Sequence, residues 1–234
     1  FQFLPLAFVA ALYPGLSSLV GKGDHAGLKE MFQKSVWYMA IVGIPITLGM
    51  WAIAEDAVLL AGDDYRQAGP VLAILIFALI PLFLDYPIGS LLNAADRQKT
   101  KTAIMGITMI VSAVCNTTLI PLLGLEGAAI SAVISFTFMF FAGLYFVPKI
   151  IKSYKYRDLL IVVGPVLFSG LIMAVFSHFL NSYMNYAFVI PLAAIVYVIM
   201  LIATKSVPKE YTKAFIQLFK GVIRPYVKNP SSHN

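Results

Sequence analysis

Positive charge in this 234-residue chain is sorted along its length, and that sorting restricts the possible folds more than any motif does. Long apolar stretches alternate with short gaps, and sixteen of the seventeen Lys and Arg residues fall in every second gap. They are Lys22, Lys29 and Lys34; Arg97, Lys99 and Lys101; Lys149, Lys152, Lys155 and Arg157; and Lys205, Lys209, Lys213, Lys220, Arg224 and Lys228. The remaining gaps hold Arg66 as their only base, with Glu55, Asp56, Asp63, Asp64 and Glu126. A water-soluble fold has no cause to separate charge in this way. A bilayer does, because short cytoplasmic loops retain Lys and Arg. The pattern predicts that the loops at 21–34, 93–102 and 148–158 and the tail face the cytoplasm, and that 55–67, 121–127 and 180–185 face outward.

Composition agrees with a bilayer as solvent. The chain is 60% hydrophobic and 12% charged, whereas about a quarter of a typical soluble domain is charged. Uncharged runs long enough to cross hydrocarbon predict an all-α polytopic transmembrane helix bundle over residues 1–204, with one partial span at 1–20 and complete spans at 35–54, 68–92, 103–120, 128–147, 159–179 and 186–204. The opening stretch has neither an initial Met nor a basic region ahead of it, so it reads as the second half of a spanning helix in a longer protein rather than as a signal peptide. Residues 205–234 form a tail in which Tyr211, Phe215, Leu218, Phe219 and Val222 recur at helical spacing among lysines. That predicts an amphipathic helix at about 209–227, lying on the cytoplasmic surface. The net charge of +6, confined to loops, suits anionic lipid head groups rather than nucleic acid. A single cysteine, Cys115, excludes an intrachain disulfide and reads as a packing residue.

Asp85 is the foremost candidate for function, being the one acid within a spanning run. A carboxylate in hydrocarbon is costly and turns toward protein or a wet cavity. Pro81 and Pro87 flank it, and proline removes a backbone donor and disturbs the preceding turn, so the helix is expected to bend there. Asp85 fits either a transport cavity or a structural or gating role paired with Arg97 or a lysine. Tyr86 is one of several tyrosines suited to an interfacial belt or to stacking on a sugar. Asn93 closes the third span, where a cap is the plainer reading. Asn116, with Thr117 and Thr118, makes a polar patch that either bonds a neighbouring helix or lines a hydrophilic path. His178 reads as an interfacial histidine. Gly127, Ala128, Ala129, Ser131, Ala132 and Ser135 permit close helix contact, and Pro45, Pro81, Pro165 and Pro191 each interrupt a span. The sequence holds no phosphate-binding glycine loop, paired Cys-x-x-Cys or His-Glu-x-x-His. It therefore predicts neither an enzyme nor an ATPase, and no cofactor or metal is expected.

Several stretches together resemble a known family. They are Tyr13-Pro14-Gly15 followed by Gly23-Asp24, Gly43-Ile44-Pro45 with Ala54-Glu55, Ala68-Gly69-Pro70-Val71-Leu72, Leu91-Leu92-Asn93-Ala94-Ala95-Asp96-Arg97-Gln98, and Asn116 with Leu119 through Ile130. Over about residues 10 to 148 the chain resembles the polysaccharide or O-antigen flippases of the multidrug/oligosaccharidyl-lipid/polysaccharide exporter superfamily. The resemblance implies twelve to fourteen helices in two pseudo-symmetric lobes, with this chain a C-terminal lobe and its N-terminal lobe elsewhere in the full protein. It implies alternating access for a lipid-linked oligosaccharide or polysaccharide unit in the cell membrane, with the C-terminus cytoplasmic. Substrate-binding or gating candidates are then Asp85, Tyr86, Asn93, Arg97 and Asn116. Implied partners are the lipid-linked glycan, membrane lipids, the N-terminal lobe, and a glycan polymerase or glycosyltransferases. A cation-coupled drug antiporter of the same superfamily, a peptidoglycan-precursor flippase and a non-transporting scaffold remain alternatives.

Overall fold

A computed structural model describes residues 3–59, 62, 67–181, 186–204 and 206, and among these every regular element is helical. The predicted tail helix at 209–227, together with Asp63, Asp64 and Arg66, lies outside the described residues. The elements are α1 (Phe3–Gly21), α2 (His25–Ala52), α3 (Ala54–Leu59), α4 (Gly69–Leu75), a 3₁₀ turn (Ile76–Ala78), α5 (Leu79–Ala94), α6 (Gln98–Leu144), α7 (Val147–Ile150), α8 (Tyr156–Asn181) and α9 (Tyr186–Ala203). Among the described residues, four helical segments are long and apolar enough to cross a membrane. Leu160, Phe168, Val175 and Phe179 of α8, and Phe188, Ile195 and Ile199 of α9, are all more than half exposed. Water does not tolerate such continuous apolar faces, and lipid does. The chain is a multi-pass membrane helix bundle.

Two tight turns repeat one solution. After α1, left-handed Gly23 (φ 66) lets Gly23 N–H reach Val20 O and Asp24 N–H reach Leu19 O. After α5, Asp96 takes the same region (φ 56), with Asp96 N–H on Asn93 O and Arg97 N–H on Leu92 O. Both are Schellman closures, which satisfy the last carbonyls of a helix. Asp24 then caps α2, its carboxylate accepting Gly27 N–H at 2.9 Å. That cap starts α2 ten residues before the uncharged run at 35, so Lys29, Glu30 and Lys34 ride on helix rather than loop.

As one straight rod, the 47 residues of α6 would extend about 70 Å, more than twice the hydrocarbon thickness. The chain instead doubles back at Gly124, whose φ of 58 and ψ of −132 lie outside any helix. A Cβ on Gly127 would lie 2.6 Å from the carbonyl carbon of Leu119, although eight residues of straight helix separate such atoms by about 12 Å. Farther from the reversal, Ser131 Oγ donates to Ser112 O at 3.3 Å. The element is thus a hairpin of two antiparallel legs.

Helix α2 is the centre of the bundle. Its buried residues Phe32, Val36, Met39, Ala40, Gly43, Ile44, Thr47 and Leu48 face α5 on one side, where Gly43 meets Phe83, and α8 on the other, where Gly170 meets Ile44 and Leu48. The hairpin lies beyond α5, α9 beyond α8, and α1 against α2 and α5. Pro81 explains the 3₁₀ turn, because its ring would strike the carbonyl of Phe77 in a continuous α-helix. The backbone tightens over 76–78 and restarts with Pro81 in the first turn of α5, where its missing N–H has no duty.

Pro45 creates a related problem in α2, leaving Ile41 O without its intrahelical donor. Tyr197 of α9 supplies one, its hydroxyl donating to Ile41 O at 3.0 Å. Tyr197→Phe is expected to cost about 1 kcal/mol, and the cost should vanish in a Pro45→Ala background, where the helix satisfies itself. Thermal unfolding in detergent of the four proteins of this cycle measures the coupling, and equal costs in both backgrounds would refute the assignment.

Both ends of the α2–α8 pair are fastened. At the end carrying the basic loops, Lys29 Nζ lies 2.7 Å from Asp158 Oδ2 and donates to Ser153 O at 3.1 Å. Phe32 meets Tyr154 edge-on, with ring centroids 5.4 Å apart. Burial first, and then the Asp158 carboxylate, push the Tyr154 phenol well above its usual pKa, so it stays neutral throughout the physiological range. At the opposite end Trp51 of α2 stacks on His178 of α8 at 6.4 Å, and Asn181 Nδ2 donates to Asp56 Oδ2 of the neighbouring α3 at 2.7 Å.

Candidate functional site

Helix α5 presents two adjacent stripes to its neighbours. Asp85 and Gly89, four residues apart, share one; Tyr86 and Ser90 share the other, with Ser90 Oγ donating to Tyr86 O at 2.9 Å. Together they form one wall of a cleft of about 240 Å³. Leu6 and Val9 of α1, Lys101 and Met105 of the first hairpin leg, and Met139 and Gly143 of the second complete it. The absence of a side chain on Gly143 makes room for Asp85, whose Oδ1 lies 3.3 Å from where a Cβ would stand.

Lys101 is the charged neighbour of Asp85. Its Nζ lies 2.8 Å from the position of a Cβ on Gly89. Gly89 is five residues inside the end of α5, whereas Lys101 is three residues into α6. By helical rise the ammonium therefore points about 3 Å inward of its own α-carbon, although a lysine near a helix end ordinarily turns its charge outward to the interface. Among the described residues the contact ion pairs are Lys29–Asp158 and Lys34–Glu30, so Asp85 and Lys101 face each other across the cleft without touching.

The other sequence candidates lie elsewhere. Asn93 accepts the Asp96 N–H in the α5–α6 turn, and Arg97 stands at the N-cap of α6; both are half-buried at the turn rather than in the cleft wall. Asn116 is fifteen residues beyond Lys101, about 22 Å along the leg. Its Nδ2 donates to Ser112 Oγ at 3.4 Å, beside the Ser131 contact that joins the two legs. Thr117 and Thr118 bond carbonyls of their own helix. The structure thus brings Asp85 and Tyr86 together and leaves Asn93, Arg97 and Asn116 apart from them. Sequence reasoning assigned Lys101 to a loop. The available signal was its place one turn after Arg97, which aims it back at α5.

The family model MatE matches residues 1–118, half of the chain. The chain belongs to the MatE family. It is also similar to the uncharacterized membrane protein MJ1068 of Methanocaldococcus jannaschii, with 29% identity over 168 residues covering 68% of this chain and 33% of that protein. It resembles the probable flippase AglR of Haloferax volcanii, with 24% identity over 156 residues covering 65% and 33% respectively. The chain therefore spans about a third of the length of these curated relatives.

The MatE match runs through α1–α5 and most of the first hairpin leg, so it includes Asp85, Tyr86, Gly89 and Lys101 and stops before Gly143. A second cleft, of about 390 Å³ between α2, α8 and α9, is bordered by Pro45, Gly49, Met173, Val189, Ala193 and Tyr197. Its walls carry no charge, and the hydroxyls of Ser177 and Tyr197 on them are donated to Met173 O and Ile41 O. Among the described residues of this MatE chain, no three His, Cys, Asp or Glu side chains gather to hold a metal.

Proposed function

We propose that this chain forms the C-terminal lobe of a two-lobed exporter, moving a lipid-linked oligosaccharide or polysaccharide repeat unit from the cytoplasmic to the outer face of the cell membrane by alternating access. The observation that carries the reading is the cleft that opposes Asp85 to Lys101 within a bundle whose outer faces are apolar. Intramembrane charge is maintained at a cost and marks the path of polar cargo. Membership of the MatE family and similarity to the probable flippase AglR support the same reading. Moving sugar hydroxyls and phosphate charge through a polar cavity avoids their desolvation in hydrocarbon, while the lipid tail remains in the bilayer. In this scheme the basic loops face the cytoplasm, where Arg97 and Asn93 meet the incoming head group at the rim. Asp85 and Tyr86 act within the cleft, and Asn116 acts nearer the outer face. The N-terminal lobe supplies the opposite wall, and a glycan polymerase or glycosyltransferases handle the cargo before and after transport.

The test is flipping by the full-length protein in vesicles containing a fluorescent lipid-linked oligosaccharide, read by quenching of the outer leaflet. Asp85→Ala is expected to slow flipping at least about tenfold, the equivalent of one lost charged contact. An unchanged leaflet distribution with folded wild-type protein would defeat the flippase reading, and a normal rate for Asp85→Ala would leave Asp85 structural. Asp85 itself favours one second reading, a cation-coupled antiporter of small molecules, in which the carboxylate carries the coupling ion. Proton or sodium flux driven by an opposing small-molecule gradient, and abolished by Asp85→Asn, would select it.

A further inference from the structure

We infer that Lys101, admitted to the cleft by Gly89, binds the phosphate head of a membrane lipid, with Asp85 as the counter-charge that holds the ammonium inside when the cleft is empty. The inference deepens the proposed function at the same cleft. Three features support it together. The ammonium is directed inward, beside the one position of that α5 stripe with no side chain to exclude it. It faces a carboxylate across open space instead of being locked in a contact pair, so a second anion has room to approach. The border of the cleft is apolar, with Leu6 55% and Met105 53% exposed. That border gives a soluble anion no favourable approach, but it suits an anion joined to a hydrocarbon chain. Charge-assisted hydrogen bonds to phosphate are among the stronger polar contacts, and Tyr86 adds a hydroxyl to the same wall.

Gly89 provides a variant that should fold. An added methyl would meet only the tip of the lysine, Nζ at 2.8 Å and Cε at 3.1 Å, which can swing aside. Alanine also favours helix over glycine. Gly89→Ala therefore expels the charge from the cleft without deleting it. Full-length protein in nanodiscs would be titrated with a fluorescent polyprenyl diphosphate, with dipalmitoyl phosphatidic acid, and with uncharged polyprenol. Lys101→Gln and Gly89→Ala are both expected to weaken diphosphate binding about tenfold or more, Lys101→Arg to retain it, and Asp85→Asn to retain or tighten it. Polyprenol binding should be unchanged in all four. Binding of diphosphate alone assigns the site to the carrier lipid; equal binding of phosphatidic acid assigns it to bulk phospholipid. Wild-type affinity in folded Lys101→Gln, or recovery of affinity in Lys101→Gln/Asp85→Asn, would overturn the inference, the latter by showing that the two residues only neutralise each other. Flipping of the glycan-bearing lipid is scored separately, so a phosphate site in a protein that does not flip would remove the proposed function and leave this one standing.

Discussion

Gly127→Val is expected to break the α6 hairpin and cost more than about 3 kcal/mol, more than ordinary overpacking, because the obstruction is backbone. A Cβ at this position strikes the Leu119 carbonyl, with the carbonyl carbon at 2.6 Å and Ile120 N at 3.0 Å. Those atoms belong to the facing leg and have no rotamer by which to yield. Helix propensity predicts the opposite sign, since replacing an interior glycine with alanine favours helix by about 1 kcal/mol. Gly127→Ala should therefore also destabilise, against its propensity. Gly106, on the same leg as Leu119 with open space around it, provides the control, and Gly106→Ala should stabilise. Melting temperatures of the purified variants in detergent decide the matter. A Gly127→Ala protein as stable as Gly106→Ala would mean that the legs do not approach as closely as described.

The second large effect concerns the crossing of α2 and α5. Phe83 is fully buried, and its Cβ and ring lie 2.8–2.9 Å from where Gly43 would carry a Cβ. Phe83→Ala should cost about 3 kcal/mol. In lipid most of that loss is packing, because an exposed ring would meet hydrocarbon rather than water. Gly43→Ala should cost about 2 kcal/mol in the native background, where the methyl meets the rigid base of the phenyl group. In the Phe83→Ala background the same methyl enters the vacated space and the sign should reverse. The double-mutant cycle is the measurement, and additive losses would refute the close crossing.

What the sequence revealed follows from which of its signals have physical contrast. Charge against hydrocarbon is a strong contrast, so each uncharged run is legible as apolar helix, although α2 begins ten residues ahead of its run. The short turn between the fourth and fifth runs was legible from Pro121, Gly124 and Gly127, and Asp85 and Tyr86 stood out as polar groups in an apolar run. The inward faces of α2 and α8 were not legible. Within their uncharged runs both helices are apolar on every side, so periodicity cannot separate a core-facing Val166 from a lipid-facing Phe168. The start of α2 was hidden by Lys29, Glu30 and Lys34, which read as loop although the Asp24 cap makes them helix. Lys101 escaped notice because its identity matches its loop neighbours Arg97 and Lys99, and only the Asp96 turn gives it a different direction. Tyr197 likewise reads as one tyrosine among twelve until Pro45 exposes the carbonyl it serves.

The clasps at the two ends of α2 and α8 carry a mechanical consequence. A pair of rods joined at one end pivots like tongs. Held at both, by Lys29 with Asp158 and by Trp51 against His178, it resists splaying. The α2–α8 pair is thus the braced side of this bundle, and the interruptions of regular helix fall on its other side: a 3₁₀ turn ahead of α5, two prolines within α5 and a hairpin reversed at Gly124.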